Sequence, residues 1–229
     1  ENKNIISNEE IDLKKYMTSI KQNCYRLLRL VNNIIDMNKI DYGYYDIELG
    51  NYNIVSVVED ITMSVLEYIK NKGIELIFDT DTEEEIIACD PDKIERIILN
   101  LLSNAIKYTR PDGKIIVNIN SDKENVYISV KDTGIGMPKQ KLNKIFNRYE
   151  QIDNKLTKSF NGSGIGLSLV KSLVEMHKGK ITVESKENEG SKFTITLPKK
   201  RINNEHIKNT NLTKSRVEKC NIEFSDIYN

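Results

Sequence analysis

Apolar residues recur along the first forty positions in two alternating steps. Leu13, Met17, Ile20, Cys24, Leu27, Val31 and Ile34 are spaced by four and three residues in turn, and Leu28 and Ile35 add a second stripe. This spacing predicts one long helix over residues 9 to about 39, with a narrow coiled-coil-like seam rather than the broad face of a globular helix. A seam of this kind needs partner helices, and no second helix of matching period lies beside it. The expected partners are upstream residues, a second subunit, or both. Asp41-Tyr42-Gly43 closes the helix.

The period then changes. Residues 44–49 alternate and predict a short strand. Ile54, Val57, Val58, Ile61, Val65, Leu66 and Ile69 predict an amphipathic helix over 54–72, ended by Gly73. Strands are expected at 74–78 and 86–89. Asp90-Pro91 starts a helix, because Asp caps free amides and Pro is tolerated in the first turn. That helix runs through Ile94, Ile97, Ile98, Leu101, Leu102 and Ala105 to about Tyr108. Pro111-Asp112-Gly113 is a turn, 114–120 and 126–130 predict a hairpin, 165–177 a helix, and 180–185 and 192–197 a closing strand pair. Helices and strands mix without regular alternation, so the expected fold class is α+β, a two-layer sandwich rather than a doubly wound sheet. Residues 199–215 are polar, rich in Asn and Lys, and read as a linker. Beyond them Cys220, Ile222 and Phe224 alternate, which suggests a short strand, a docking segment or a partly ordered tail.

Composition narrows the function classes. Lys and Arg number 34 and Asp and Glu number 34, so the formal net charge is zero, without the basic excess of a chain that neutralises nucleic-acid phosphates. The three cysteines, Cys24, Cys89 and Cys220, are far apart and lack CxxC spacing. Neither a disulfide framework nor a structural zinc site is expected, and a reduced, cytoplasmic setting fits. No apolar run approaches the roughly 18 residues that span a membrane. The polar start without Met, lacking a signal pattern, suggests a piece of a longer protein.

Two short glycine-rich loops stand out, Asp132-Thr133-Gly134-Ile135-Gly136-Met137-Pro138 and Gly162-Ser163-Gly164-Ile165-Gly166-Leu167, the second opening a helix. Such loops bring backbone close to a ligand, and amides at a helix start attract phosphate; alone, each is equally well explained as a turn. On the helix over 91–108, Asn100, Asn104, Lys107 and Tyr108 share one face. Asn is a poor interior helix residue, so two of them one turn apart need a reason. Amide oxygens can ligate Mg²⁺ and a Lys one turn on can neutralise phosphate, although a solvated face would serve as well.

Taken together, Asn100-x3-Asn104-x2-Lys107-Tyr108, Asp132-x-Gly134-x-Gly136 and Gly162-x-Gly164-x-Gly166-Leu167 resemble the ATP-binding domain of the sensor histidine kinases of two-component systems. That domain belongs to a wider family with gyrase, the heat-shock-90 chaperone and mismatch-repair ATPases. Residues 97–109 resemble the family's N-box, and Ile145-Phe146-Asn147-Arg148-Tyr149 its F-box. Arg26–Asn32 through Asp36 to Ile40 resembles the second helix of the dimerisation and phosphotransfer hairpin. The resemblance covers about 10–198 and implies a mixed sheet and three parts: a partial dimerisation region over 1–43, an ATP-binding catalytic domain over 44–198, and a linker with C-terminal extension over 199–229.

The resemblance also implies roles. Asp132 accepts a hydrogen bond from the adenine amino group, and Gly134 and Gly136 shape the pocket around the base. Asn100 and Asn104 ligate Mg²⁺, Asn100 and Lys107 position phosphate, and Tyr108 packs near the nucleotide. Residues of about 148–164, including Lys158, form a mobile lid, which Gly162, Gly164, Gly166 and Leu167 close over the phosphates. The implied cofactors are ATP and Mg²⁺. The implied partners are a second copy through the N-terminal helix and a response-regulator receiver domain, with the full protein attached to the cell membrane.

The sequence departs from the family in two ways. The phosphoacceptor His of the first hairpin helix is absent, so this chain is not expected to phosphorylate itself in cis. Where the ATPase relatives carry a water-activating Glu one turn before the first N-box Asn, this chain has Arg96, and Glu95 lies about 100° round the helix. Arg96, together with the upstream helix, favours a kinase over a gyrase- or chaperone-type ATPase. An ATP-binding pseudokinase or scaffold is the other alternative. His177 is expected to be structural, a cation at a helix C-terminus, and His206 to lie in the linker.

Overall fold

The computed structural model describes residues 2–150, 164–203, 206–208 and 215–225, with side chains from Leu13 in the first helix and from Glu218 in the last. Helix α1 (Asn2–Asp41) is a single rod. Gly43, at φ 71°, ends it and donates its amide to the Ile40 carbonyl. The seam residues Leu13, Met17, Ile20, Cys24, Leu27, Val31 and Ile34 are all exposed. A second stripe, polar at Arg29, Asn33 and Asp36 and apolar only at its end, faces the rest of the chain: Arg29, Asn33, Asp36, Met37 and Ile40 are buried or half-buried.

The segment 44–49 is not a strand. Its Glu48 amide is taken by the Asp90 carboxylate at 2.9 Å, and strand β1 (Gly50–Asn53) begins only afterwards. The expected helix over 54–72 divides into α2 (Ile54–Ser64) and α3 (Leu66–Asn71). Near the break, Ser64 Oγ donates to the Ile61 carbonyl at 2.6 Å, and the Val65 amide tightens onto Thr62.

The other elements are β2 (Glu75–Thr80), β3 (Ile86–Cys89), α4 (Pro91–Tyr108), β4 (Lys114–Ser121), β5 (Asn125–Asp132), α5 (Gly166–Met176), β6 (Lys180–Lys186), β7 (Gly190–Pro198) and α6 (Ser215–Glu223). Strands β1 and β3 form an antiparallel pair, and the main sheet has the order β2-β4-β5-β7-β6. Only β2 and β4 run parallel, so the sheet is mixed. Period-two alternation puts Ile115, Val117 and Ile119 of β4, Val126, Ile128 and Val130 of β5, and Phe193, Ile195 and Leu197 of β7 into one buried layer. Ile54, Val58 and Ile61 of α2, Ile98, Leu101 and Leu102 of α4, and Leu169 and Leu173 of α5 complete the same core. The chain is an α+β two-layer sandwich with a long helix in front, as the pattern predicts.

The C-terminal segment corrects the sequence reading. It is a helix, not a strand: Cys220 and Phe224, one turn apart, are both buried. The alternation of Cys220, Ile222 and Phe224 conceals an i, i+4 pair, a common ambiguity of short apolar runs. His177 is also corrected. Its Nε2 accepts the Asp90 amide at 3.1 Å, so Nδ1 carries the proton toward the Leu173 carbonyl, 2.8 Å away. Burial lowers its pKa, and the ring is a neutral brace between the end of α5 and the start of α4 rather than a cation.

Candidate functional site

Asp132 ends β5 in register with Val126, Ile128 and Val130, so period-two alternation turns it toward the helices. It is buried, and burial pushes its pKa up to about 6, against the pull of the Gly134 and Ser191 amides. Those amides donate to Oδ1 at 2.8 and 3.3 Å, so both bonds fall on one carboxylate oxygen.

The loop after Asp132 is held from three sides. The Ile135 amide donates to the Tyr108 carbonyl at the end of α4, and the Ile135 carbonyl accepts from the Asn188 amide. The Met137 amide donates to Ser185 Oγ at 2.9 Å. Gly136 has φ 62°, and a Cβ there would run into the Lys186 carbonyl, so no other residue fits without moving the β6–β7 turn. A Cβ on Gly134 would strike the Tyr108 carbonyl.

Helix α4 starts where expected. Asp90 Oδ1 accepts the Asp92 and Lys93 amides at 3.0 and 3.2 Å, and Pro91 opens the first turn. Along the helix, Asn104 Nδ2 lies 3.5 Å from Asn100 Oδ1, which pairs the two amides one turn apart. Lys107 is buried, with Nζ 5.3 Å from the centre of the Tyr108 ring. The second glycine loop meets this face: a Cβ on Gly166 would lie 2.8 Å from Asn100 Nδ2. Leu167 packs against the core at the start of α5.

The structure therefore gathers Asn100, Asn104, Lys107, Tyr108, Asp132, Gly134, Gly136, Gly164, Gly166 and Leu167 around the C-terminal half of α4. Lys158 and Gly162 lie outside the described residues. The two edges of that stretch are joined, because the Tyr149 amide donates to the Gly164 carbonyl at 3.0 Å, with Gly164 at φ 68°. Sequence reasoning missed Gly190, Ser191 and Ser185. Ser185 Oγ bridges the Met137 amide and the Gly190 carbonyl, and a Cβ on Gly190 would strike the Asp132 carbonyl. Alternation in β7 could have found Ser191, which shares the inward face with Phe193.

Arg96, one turn before Asn100, is held by α1, pairing with Asp36 and donating to Asn33 Oδ1 at 2.9 Å. Glu95 is buried on the same side against Lys219. Neither carries a carboxylate to the Asn100 face. Among the described residues, no group of three or more His, Cys, Asp and Glu side chains could hold a metal ion. Any cation here would depend on the amide pair and on ligand oxygens.

The family model "Histidine kinase-, DNA gyrase B-, and HSP90-like ATPase" matches residues 89–201, which hold α4, both glycine loops and the strands behind them. Histidine kinase P4 of Formosa agariphila is 35% identical over 187 residues, 80% of this chain and 14% of the relative. Sensor histidine kinase WalK of Bacillus subtilis is 32% identical over 197 residues, 84% of this chain and 32% of the relative. The chain thus spans a third or less of the length of these relatives. Among solved structures, the catalytic domain of histidine kinase ThkA superposes with a TM-score of 0.60 at 28% identity, covering 67% of this chain and 99% of that one. ThkA in complex with the response regulator protein TrrA gives a TM-score of 0.65 at 27% identity, covering 82% of this chain and 51% of that one. No helix among the described residues is long and apolar enough to cross a membrane. With the motif order, the buried Asp132 and the Asn100–Gly166 contact in one place, this chain carries the ATP-binding catalytic domain of the sensor histidine kinases.

Proposed function

We propose that this chain binds Mg·ATP and donates the γ-phosphate to a histidine on a hairpin helix outside it, for relay to a response-regulator aspartate. The observation that carries this reading is the contact of Gly166 with Asn100, which brings the phosphate-type glycine loop onto the paired amides of α4. Asp132 uses Oδ1 for the backbone, leaving its second oxygen to accept the adenine amino group. Gly134 and Gly136 keep the floor of the base pocket free of side chains. Asn100 and Asn104 would hold the metal through their amide oxygens, and Lys107 would neutralise the phosphates. Bound Mg²⁺ supplies charge neutralisation on the phosphates. Lys158 and Gly162 would belong to the lid.

In the transfer, the bond from the γ-phosphorus to the bridging β-phosphate oxygen breaks and a P–N bond to imidazole forms. ADP leaves and the imidazole proton is lost. The chain's contribution is positioning and charge neutralisation. We place the acceptor outside this chain: His177 is buried with both ring nitrogens engaged, and His206 follows β7, apart from any hairpin helix. Autophosphorylation in cis is therefore not expected. An ATPase of the gyrase kind would need a carboxylate to activate water, yet Arg96 and Glu95 are both committed to the α1 and α6 side.

We divide the protein into a partial dimerisation region (1–43), the catalytic domain (44–198) and a C-terminal extension (199–229). A second copy would cover the exposed α1 seam, and a receiver domain would be the downstream partner. Calorimetric titration with ATP in Mg²⁺, using GTP and Asp132→Asn as controls, tests the site. Micromolar to sub-millimolar ATP binding with weak GTP binding is expected. Absence of ATP binding would favour the scaffold alternative.

A further inference from the structure

Helix α6 reaches three parts of the molecule at once. Its Phe224 is fully buried, with the ring centre 5.2 Å from that of Tyr68 on α3, and Tyr68 Oη donates to Asn221 Oδ1 at 3.0 Å. Cys220 Sγ lies 3.8 Å from Ser64 Oγ at the end of α2. Lys219 Nζ donates to Asp92 Oδ1 at 2.8 Å and to buried Glu95, both on α4. At its last turn, the Glu223 carbonyl accepts Ser103 Oγ from α4 at 3.0 Å and Arg29 Nη1 from α1 at 2.6 Å. A guanidinium at the negative end of a helix is favourably placed.

We propose that α6 is a clasp, anchored on the catalytic domain, that holds this domain against helix α1 and restrains their relative movement. Its anchor is apolar and sits on the domain side, at Tyr68 and Phe224. Its grip on α1 is polar. The other links between α1 and the domain are polar pairs, Arg96 to Asn33 and Asp36 and Arg148 to Asp41, together with an apolar contact at the end of α1, where Met37 enters the core and Ile40 packs against it. Between α1, α4 and α6 lies a cavity of about 500 Å³ lined by Arg29, Asn33, Tyr45, Arg96, Lys219 and Glu223. Over the stretch from Arg29 to Asp36 the joint is polar and incompletely filled, the character of a separable interdomain surface. The clasp also spares the nucleotide face. Asp92, Glu95, Leu99 and Ser103 form one stripe of α4, whereas Asn100, Asn104 and Lys107 lie about 100° further round. Releasing the clasp therefore frees domain movement without removing a nucleotide contact. Its consequence for phosphoryl transfer rests on the function proposed above.

The test reads an intrachain distance. Spin labels are placed on Ser19→Cys, exposed on α1 outside the seam, and on Lys123→Cys in the β4–β5 turn, with Cys24→Ser throughout and Cys220→Ala in the chains that retain it. Labelled chain is diluted in unlabelled chain so that pulsed dipolar spectroscopy reports one molecule. The otherwise intact chain should give one narrow distribution. Removing residues 209–229, or substituting Lys219→Glu opposite Asp92 and Glu95, should at least about double its width while ATP affinity stays within about twofold. An unchanged width in Lys219→Glu overturns the clasp, as does a loss of ATP affinity of about tenfold without broadening. Should the truncated chain fail to fold, Lys219→Glu decides. The width alone judges the clasp, and ATP binding by the intact chain separately judges the function.

Discussion

Asp132→Asn should make the protein more stable and abolish its nucleotide binding. The side chains have the same shape, and the Asn oxygen can keep the Gly134 and Ser191 amides that Oδ1 accepts now. What changes is the charge. Burial raises the carboxyl from 3.8 to about 6, so its ionised form is disfavoured in the folded chain by about 3 kcal/mol. The sign follows from linkage. The unfolded chain releases this proton near pH 4 and the folded chain near pH 6, so stability falls between those values and the full cost is present at pH 7. Asn carries no such cost. The variant should therefore match the parent near pH 4 and exceed it by up to about 3 kcal/mol at pH 7.5, which is roughly 6–12 °C in midpoint for a chain of this size. Thermal unfolding followed by circular dichroism from pH 4 to 8, with ATP titration of the same samples, measures both effects. Equal midpoints for the two chains at pH 7.5 would refute the buried-charge argument, and normal ATP affinity in the variant would refute the adenine assignment.

Three further outcomes are expected. Gly136→Ala should cost at least about 1–2 kcal/mol in urea unfolding and abolish ATP binding, because it adds left-handed strain to a collision with the Lys186 carbonyl. Gly166→Ala should leave the unfolding midpoint nearly unchanged, because the obstructing atoms belong to the Asn100 side chain, but should weaken Mg·ATP binding by about tenfold or more in calorimetry. Leu27→Lys with Val31→Lys should lower the molar mass measured by light scattering without changing ATP affinity, since both side chains are exposed on the α1 seam. An unchanged mass, starting from a dimer, would count against the seam as an interface.

Elements fixed by local chemistry were legible in the sequence. The boundaries of α4 follow from Asp90, Pro91 and the break after Tyr108, and they match the structure at both ends. Strand β3 matches at both ends for the same reason, since its short apolar run stops at the Asp90 cap. Segments whose hydrogen bonds go to distant partners were not legible. Residues 44–49 alternate like a strand, yet their Glu48 amide serves a helix cap 42 positions away. Most of the side of α1 that meets the domain, Arg29, Asn33 and Asp36, carries no hydrophobic period and gains its role from Arg96 and the Glu223 carbonyl, and only Met37 and Ile40 at its end are apolar. At the site, the glycine loops and Asn100 were visible as a pattern. The Ser185–Gly190–Ser191 support behind Asp132 was not, because strand pairing brings it there from 59 positions away.

The arrangement makes α4 the element through which nucleotide and domain position could communicate. One face carries Asn100, Asn104 and Lys107 toward the glycine loops, and the adjacent face carries Asp92, Glu95, Arg96 and Ser103 toward α1 and α6. The two faces belong to one helix, so a displacement of the whole helix, unlike release of a contact on one face, moves both. The segment just before residue 151 is tied to the same scaffold from the opposite end. Arg148 pairs with Asp41 at the end of α1, and the adjacent Tyr149 amide holds the Gly164 carbonyl. Movement of α1 would therefore reach the second glycine loop by two routes, through Arg96 into α4 and through Arg148 to the Tyr149–Gly164 link. Coupling by these routes has a distinguishing signature. Arg96→Ala and Arg148→Ala contact no nucleotide, yet their combined effect on ATP affinity should differ from the sum of their single effects.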